Sequence, residues 1–186
     1  MKAIFGLGNP GEEYKATRHN LGRMLVERLA RRWGASSALG RREFSLLLAR
    51  FEGEEVGLVF PRTFMNLSGV AVKAFRDCTG IRLEDMLVAC DDANLPLGRI
   101  RLRRGGGDGG HKGLRSVIDF LGTEKFPRLR MGIGRPPEGC DMVEFVLSPF
   151  CSEEWPVVEE MLERACGAVE EWIRSGIEKA MSLYNR

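Results

Sequence analysis

Histidine is scarce in this chain of 186 residues, which has only His19 and His111, and the two are far apart. A two-histidine, one-carboxylate metal set from His19, His111 and Asp91 or Asp92 can be written down, but no close-spaced H-x-x-x-H pair supports it, and no metal is expected. Cysteine is equally uninformative as a scaffold. The five thiols are odd in number, widely spaced and without a C-x-x-C pair, which fits neither a disulfide framework nor a zinc knuckle. Reduced, idle thiols are the expectation. There is no G-x-S-x-G elbow and no cysteine in a nucleophile motif, which argues against covalent serine or cysteine catalysis. No apolar run approaches the roughly 20 residues of a membrane span, and the start, Met1-Lys2-Ala3-Ile4-Phe5-Gly6, has no long apolar leader. A cytoplasmic protein without membrane contact is expected, with one domain over residues 1–186.

A net charge of +2 hides an uneven distribution. Between Arg99 and Arg135 ten basic residues face three acids, whereas from Glu138 onward eleven acids face four bases. A basic segment in an otherwise balanced chain is the footprint of a phosphate-rich partner, because cations that neutralise phosphates release counterions. An ordinary solvated surface explains the same charge count equally well.

Hydrophobic spacing alternates strand with helix. Lys2 to Leu7 reads as a buried strand running into Gly6-Leu7-Gly8-Asn9-Pro10-Gly11. Leu21, Met24, Leu25, Leu29 and Trp33 predict a helix over 20–33, ended by Gly34. Paired strands are predicted at Phe44–Phe51 and Glu55–Phe60, and a helix at Ser68–Thr79 with Gly80 as its stop. Met86–Cys90 is a strand with Asp91 at its carboxyl end. Arg99–Arg103 and Leu129–Gly134 are further strands, and a glycine cluster leads into a helix at Lys112–Leu121. A long helix is expected to open at Ser152 as N-cap and to end before Gly176, leaving a short tail. The alternation predicts one α/β domain with helices packed on a twisted mixed sheet.

Both histidines lie in polar, glycine-flanked segments rather than on apolar helix faces. His19 stands in Thr17-Arg18-His19-Asn20, close behind the first strand's exit, and Asp91 leaves another strand at the edge where α/β sheets gather their ligand sites. A carboxylate that accepts one ring N–H fixes the tautomer and leaves the other nitrogen to take a proton from water. Asn9 and Asn66, in neighbouring loops, are candidates to donate to a carbonyl oxygen or to position that water; they are equally at home as turn residues. The glycine turn formally matches the dinucleotide fingerprint G-x-G-x-x-G. Pro10 interrupts it, and position 27, where that fingerprint wants an acid at a strand end, falls inside an amphipathic helix. No cofactor is expected.

Several longer stretches occur together: Gly6 to Gly11 with Tyr14 and Thr17-Arg18-His19-Asn20; Thr63-Phe64-Met65-Asn66-Leu67-Ser68-Gly69; Asp91-Asp92 with Leu95-Pro96; Gly109-Gly110-His111-Lys112-Gly113-Leu114; and Leu129 to Gly134. In this order, and over nearly the whole chain, they resemble the successive motifs of bacterial peptidyl-tRNA hydrolases. The resemblance implies a mostly parallel sheet with helices on both faces, and a metal-independent enzyme that frees peptides from tRNA; with no obvious assembly motif, a monomer is the default expectation. It further implies His19 as general base, Asp91 as its partner, Asn9 and Asn66 near the reacting centre, and Tyr14, Phe64, Met65 and His111 along the substrate channel. Arg103 and Arg130 match basic positions that clamp a tRNA phosphate.

Three positions depart from that pattern. Lys112 stands where the family usually has a substrate-binding asparagine, and a lysine cannot accept a hydrogen bond. Asn94 replaces a common acid, while arginine at 103 in place of a frequent lysine keeps the charge and permits bidentate phosphate contact. A protein of the same fold that binds RNA without turning it over is the competing expectation. Lys112 is its support, and the presence of His19, Asp91, Asn9 and Asn66 opposes it.

Overall fold

Strands and helices alternate from the start of the computed structural model, which describes residues 1–38 and 40–186. β1 (Lys2–Gly6) leads through two short 3-10 turns to α1 (Leu21–Arg32). β2 (Ser36–Ser37), β3 (Phe44–Phe51), β4 (Glu54–Pro61), α2 (Ser68–Thr79), β5 (Met86–Asp92), β6 (Ile100–Arg103), α3 (Lys112–Leu121) and β7 (Arg128–Gly132) follow. The helices α4 (Met142–Val146), α5 (Trp155–Ser175) and α6 (Ile177–Tyr184) complete the chain. The strands form one sheet in the order β2-β3-β4-β1-β5-β7-β6. Its four central strands run the same way, and antiparallel pairing is confined to the flanks, at β2–β3, β3–β4 and β6–β7.

The period-2 alternation of the central strands feeds two cores. Ala3 and Phe5 of β1 and Met86, Val88 and Cys90 of β5 point to one face, where Val72 and Phe75 of α2 and Leu114 and Val117 of α3 cover them. Ile4, Leu87 and Ala89 point to the other face, under Leu25 and Leu29 of α1 and the Val158–Trp172 stripe of α5. Burial of each such leucine or phenylalanine contributes about 1.5–3 kcal/mol, so both helical layers are firmly held to the sheet. Gly80 ends α2 in the left-handed region at φ 68°, with its N–H on the Arg76 carbonyl, a conformation that a side chain resists. At Gly22 the requirement is close approach. A Cβ there would collide with the Ala89 carbonyl oxygen, so its absence lets the start of α1 lie directly on β5.

Two expectations need correction, and one helix was not foreseen. The long helix begins at Trp155 rather than just after Ser152, with Glu154 in the cap position. With Ser152 as cap, Pro156 would fall at the fourth helical residue and remove the first intrahelical hydrogen bond; starting at Trp155 leaves it in the first turn, where no donor is needed. The segment after Gly176 is a helix, with Ala180 fully buried, rather than a plain tail. α4 had no sequence signature, because five apolar-rich residues are too few to display a helical period.

Candidate active site

The carboxyl ends of β1 and β5 lie side by side, and His19 and Asp91 meet there. Asp91, the sixth residue of β5, is 2% exposed and pairs in register with Met131 of β7. His19 sits in the 3-10 turn before α1, and its Nδ1 lies 3.0 and 2.9 Å from the two oxygens of Asp91. His111, the N-cap of α3, approaches from the other side and places Nε2 2.9 Å from Asp91 Oδ1. Burial by itself would push the Asp91 carboxyl up, but His111 and His19, each with a ring nitrogen directed onto its oxygens, outweigh it and hold the group well below the usual carboxylate range. Asp91 is therefore favoured as an anion, with its charge directed onto two imidazoles.

His19, Asp91 and His111 are also a set that could hold a metal ion, their ligand atoms lying within 4.8 Å of one another. Wide sequence spacing had argued against this trio, and the fold brings it together. The converging atoms are, however, bonded to each other: both imidazoles turn a ring nitrogen onto the carboxylate, and a cation would have to displace those contacts.

A cavity of about 300 Å³ opens beside the pair. Asn9, Phe64, Met65, Asn66, His111 and Lys112 line it, together with His19, Asp91 and Arg130. The asparagine is held with care. Its Oδ1 accepts from the Met65 N–H at 2.7 Å, while the Asn20 side chain binds both its backbone N–H and its carbonyl at 2.9 Å. Asn20 thereby gives up the capping of α1 to hold Asn9. With Oδ1 engaged, the Nδ2 amide is the group that Asn9 can offer to the cavity. Asn66 and Lys112 are exposed on the wall, and Phe64 is 55% exposed. Tyr14 does not line the cavity; it packs edge-on against Phe64 at 6.2 Å, behind that wall.

The opposite wall is one the sequence reading missed. Met142, Val143, Val146 and Leu147, on α4 and just beyond, present an apolar surface to the cavity. Arg18 ties this segment to the turn that carries His19. Its guanidinium pairs with both oxygens of Glu154 at 2.9 Å, reaches Ser148 Oγ at 3.2 Å and stacks over Phe145 and Phe150. Arginine directly before the histidine was visible as part of a motif, but its distant partners were not.

Register explains the basic face. β6 pairs Arg101 with Arg130 and Arg103 with Arg128, so all four arginines share one side of the sheet, and Arg103 and Arg130 are diagonal neighbours. Arg103 is exposed on the rim outside the cavity. Arg130 reaches the cavity, with Nη2 on the Gly107 carbonyl at 2.8 Å, Nη1 3.6 Å from Asp92, and a buried Nε that has no partner among the described residues. Arg128, which sequence reasoning left out, is fully buried and bonds to the carbonyls of Gly107, Glu124 and Phe126. Burial, reinforced by Arg130, lowers it to about 10. It anchors the glycine loop that forms the cavity's rim.

A buried carboxylate that orients an imidazole, whose second nitrogen is left for a cavity at the carboxyl edge of an α/β sheet, defines a class: an enzyme of the general-base type. Comparisons with known proteins narrow this. The family model of peptidyl-tRNA hydrolase matches residues 3–186. The chain is 45% identical over 187 residues to the peptidyl-tRNA hydrolase of Bacillus thuringiensis and 44% identical over 185 residues to that of Syntrophomonas wolfei, with both partners fully covered in each case. The crystal structure of peptidyl-tRNA hydrolase from Acinetobacter baumannii superposes with a TM-score of 0.93 at 35% identity, covering all of this chain and 94% of that one. The chain belongs to the peptidyl-tRNA hydrolase family.

Proposed function

We infer that the protein hydrolyses the ester between peptide and tRNA in peptidyl-tRNA, acting in the cytoplasm as a monomer without a metal ion. The observation that carries the mechanism is the His19–Asp91 pair on the cavity wall, with Nδ1 held at 2.9–3.0 Å. Asp91 accepts the Nδ1–H, so Nε2 is the basic atom and takes a proton from water. The resulting hydroxide attacks the ester carbonyl, and the imidazolium, stabilised by the Asp91 anion, returns the proton to the leaving ribose oxygen. The Asn9 amide and Asn66 steady the peptide carbonyl and the tetrahedral intermediate.

The basic face receives the acceptor stem. Arg103 and Arg130 bind a phosphate; they are diagonal neighbours on one side of the sheet, Arg103 exposed on the rim and Arg130 at the cavity, which supports that reading. Lys112, exposed on the cavity wall at the start of α3, meets the tRNA backbone.

The test is release of N-acetyl-amino acid from N-acetyl-aminoacyl-tRNA by the purified protein in excess EDTA, with unblocked aminoacyl-tRNA as control. His19→Ala should lower the chemical step by about 100-fold or more. A wild-type rate in that variant rejects the base assignment, and loss of activity on EDTA treatment rejects the metal-free mechanism. Tight tRNA binding without release moves the protein to the RNA-binding alternative. Replacing Arg103 or Arg130 should weaken tRNA binding and flatten its salt dependence while sparing a peptidyl-adenosine ester.

A further inference from the structure

His111 was expected along the substrate channel, yet both of its ring nitrogens are engaged by the protein. The Leu114 backbone N–H donates to Nδ1 at 3.1 Å. A backbone N–H cannot accept, so Nδ1 carries a lone pair and the ring proton resides on Nε2. That N–H points at Asp91 Oδ1, 2.9 Å away. A second proton, on Nδ1, would face the Leu114 N–H. The contacts as they stand thus specify one form of His111, the neutral Nε2–H tautomer.

Oδ1 of Asp91 therefore lies against two donors, Nδ1–H of His19 and Nε2–H of His111, and Oδ2 against His19 alone. Turning the carboxylate about its Cβ–Cγ bond would break the His111 contact. The His111 ring is in turn held by the first turn of α3, and the two imidazoles sit with their centres 4.9 Å apart. The fully buried core on the α2–α3 face thereby reaches the general base through a single side chain.

We propose that His111 is a positioning residue: as a neutral imidazole clamped by the cap of α3, it locks the Asp91 carboxylate in the orientation that serves His19, and it neither binds substrate nor transfers a proton. The proposal rests on the reading of His19 as general base. Helix capping and carboxylate positioning can be separated by substitution. Asparagine is a good N-cap and can still accept the Leu114 N–H, but it is too short to reach Asp91. Glutamine can bring an N–H close to the position of Nε2.

His111→Asn should keep the wild-type melting temperature and KM within about twofold while kcat falls by about 10- to 100-fold, the scale for a misplaced catalytic group. His111→Gln should recover most of that loss. With only two histidines in the chain, His19→Ala leaves His111 alone for ¹⁵N imidazole NMR, which should show a protonated Nε2 and a bare Nδ1 at neutral pH. A wild-type kcat in His111→Asn, a raised KM with unchanged kcat, or a proton on Nδ1 each overturns the positioning role. A wild-type rate in His19→Ala instead overturns the base reading beneath it, so the two failures are distinguishable.

Discussion

Replacing Glu154 by Gln isolates the ion pair that holds the His19 turn against the α4 wall. Arg18 and Glu154 meet through two 2.9 Å contacts, with side chains 10% and 22% exposed, and Arg18 is flanked by Phe145 and Phe150. The hydrogen bond from Arg18 is the main reason that the Glu154 carboxyl is lowered from 4.5 to about 2. At about 1.4 kcal/mol per pH unit this amounts to about 3 kcal/mol. Screening on the solvent side reduces the expected loss in Glu154→Gln to about 2 kcal/mol, or roughly 4–8 °C in Tm for a chain of this size. A folded-state value below the unfolded one stabilises the protein fully above about pH 4.5, and that contribution is lost as pH falls towards about 2. Urea melts of both proteins between pH 7 and pH 2.5 are the assay. The curves should differ by about 2 kcal/mol at pH 7 and by only about a quarter of that at pH 2.5. A gap under about 0.5 kcal/mol at pH 7, the range of an ordinary surface substitution, or one that persists unchanged to pH 2.5, refutes the reasoning.

Gly22→Ala drives a methyl group into the Ala89 carbonyl and should cost about 3 kcal/mol in denaturant melts; because α1 would lift off β5 beside Asp91, kcat should fall too. Asn185 binds the N–H and carbonyl of Leu102 at 2.7 and 2.9 Å along the outer edge of β6. Asn185→Ala should cost about 1–2 kcal/mol and raise KM for full-length peptidyl-tRNA but not for a peptidyl-adenosine ester; equal effects on both substrates would separate β6 from tRNA binding. Thiol labelling of the native protein should be rapid at the exposed Cys78 and Cys151 and absent at Cys90 and Cys166, whose thiols are buried and raised, Cys166 to about 11. Labelling of Cys90 before unfolding would contradict the packing of β5.

Much of the site was legible from local pattern. His19 behind the first strand and Asp91 at the end of another were recognisable because chain segments leaving parallel strands emerge at one sheet edge, whatever their separation in sequence. Asn9 and Asn66 were recognisable only as loop amides. Their unequal treatment, with Asn9 fixed by Asn20 and Met65 and Asn66 exposed, depends on contacts 11 and 56 residues away. Tyr14 was placed in the channel because it travels with the motif, yet it packs edge-on against Phe64 and does not itself line the cavity. Lys112, the departure from the family pattern, does stand on the cavity wall.

By itself the sequence determined what short-range physics can encode: apolar periods that decide strand or helix, glycines that end or admit helices, a basic segment, and the residue types of a general base. The tertiary structure alone decided which groups share a carboxylate, which arginine is buried as an anchor and which reaches the cavity, and which short apolar helix walls the cavity. Those outcomes depend on register and on packing between segments separated by 20 residues, as Asp91 and His111 are, or by more than a hundred, as Arg18 and Glu154 are. No local pattern carries information over that distance, because the partner's position exists only once the sheet has formed.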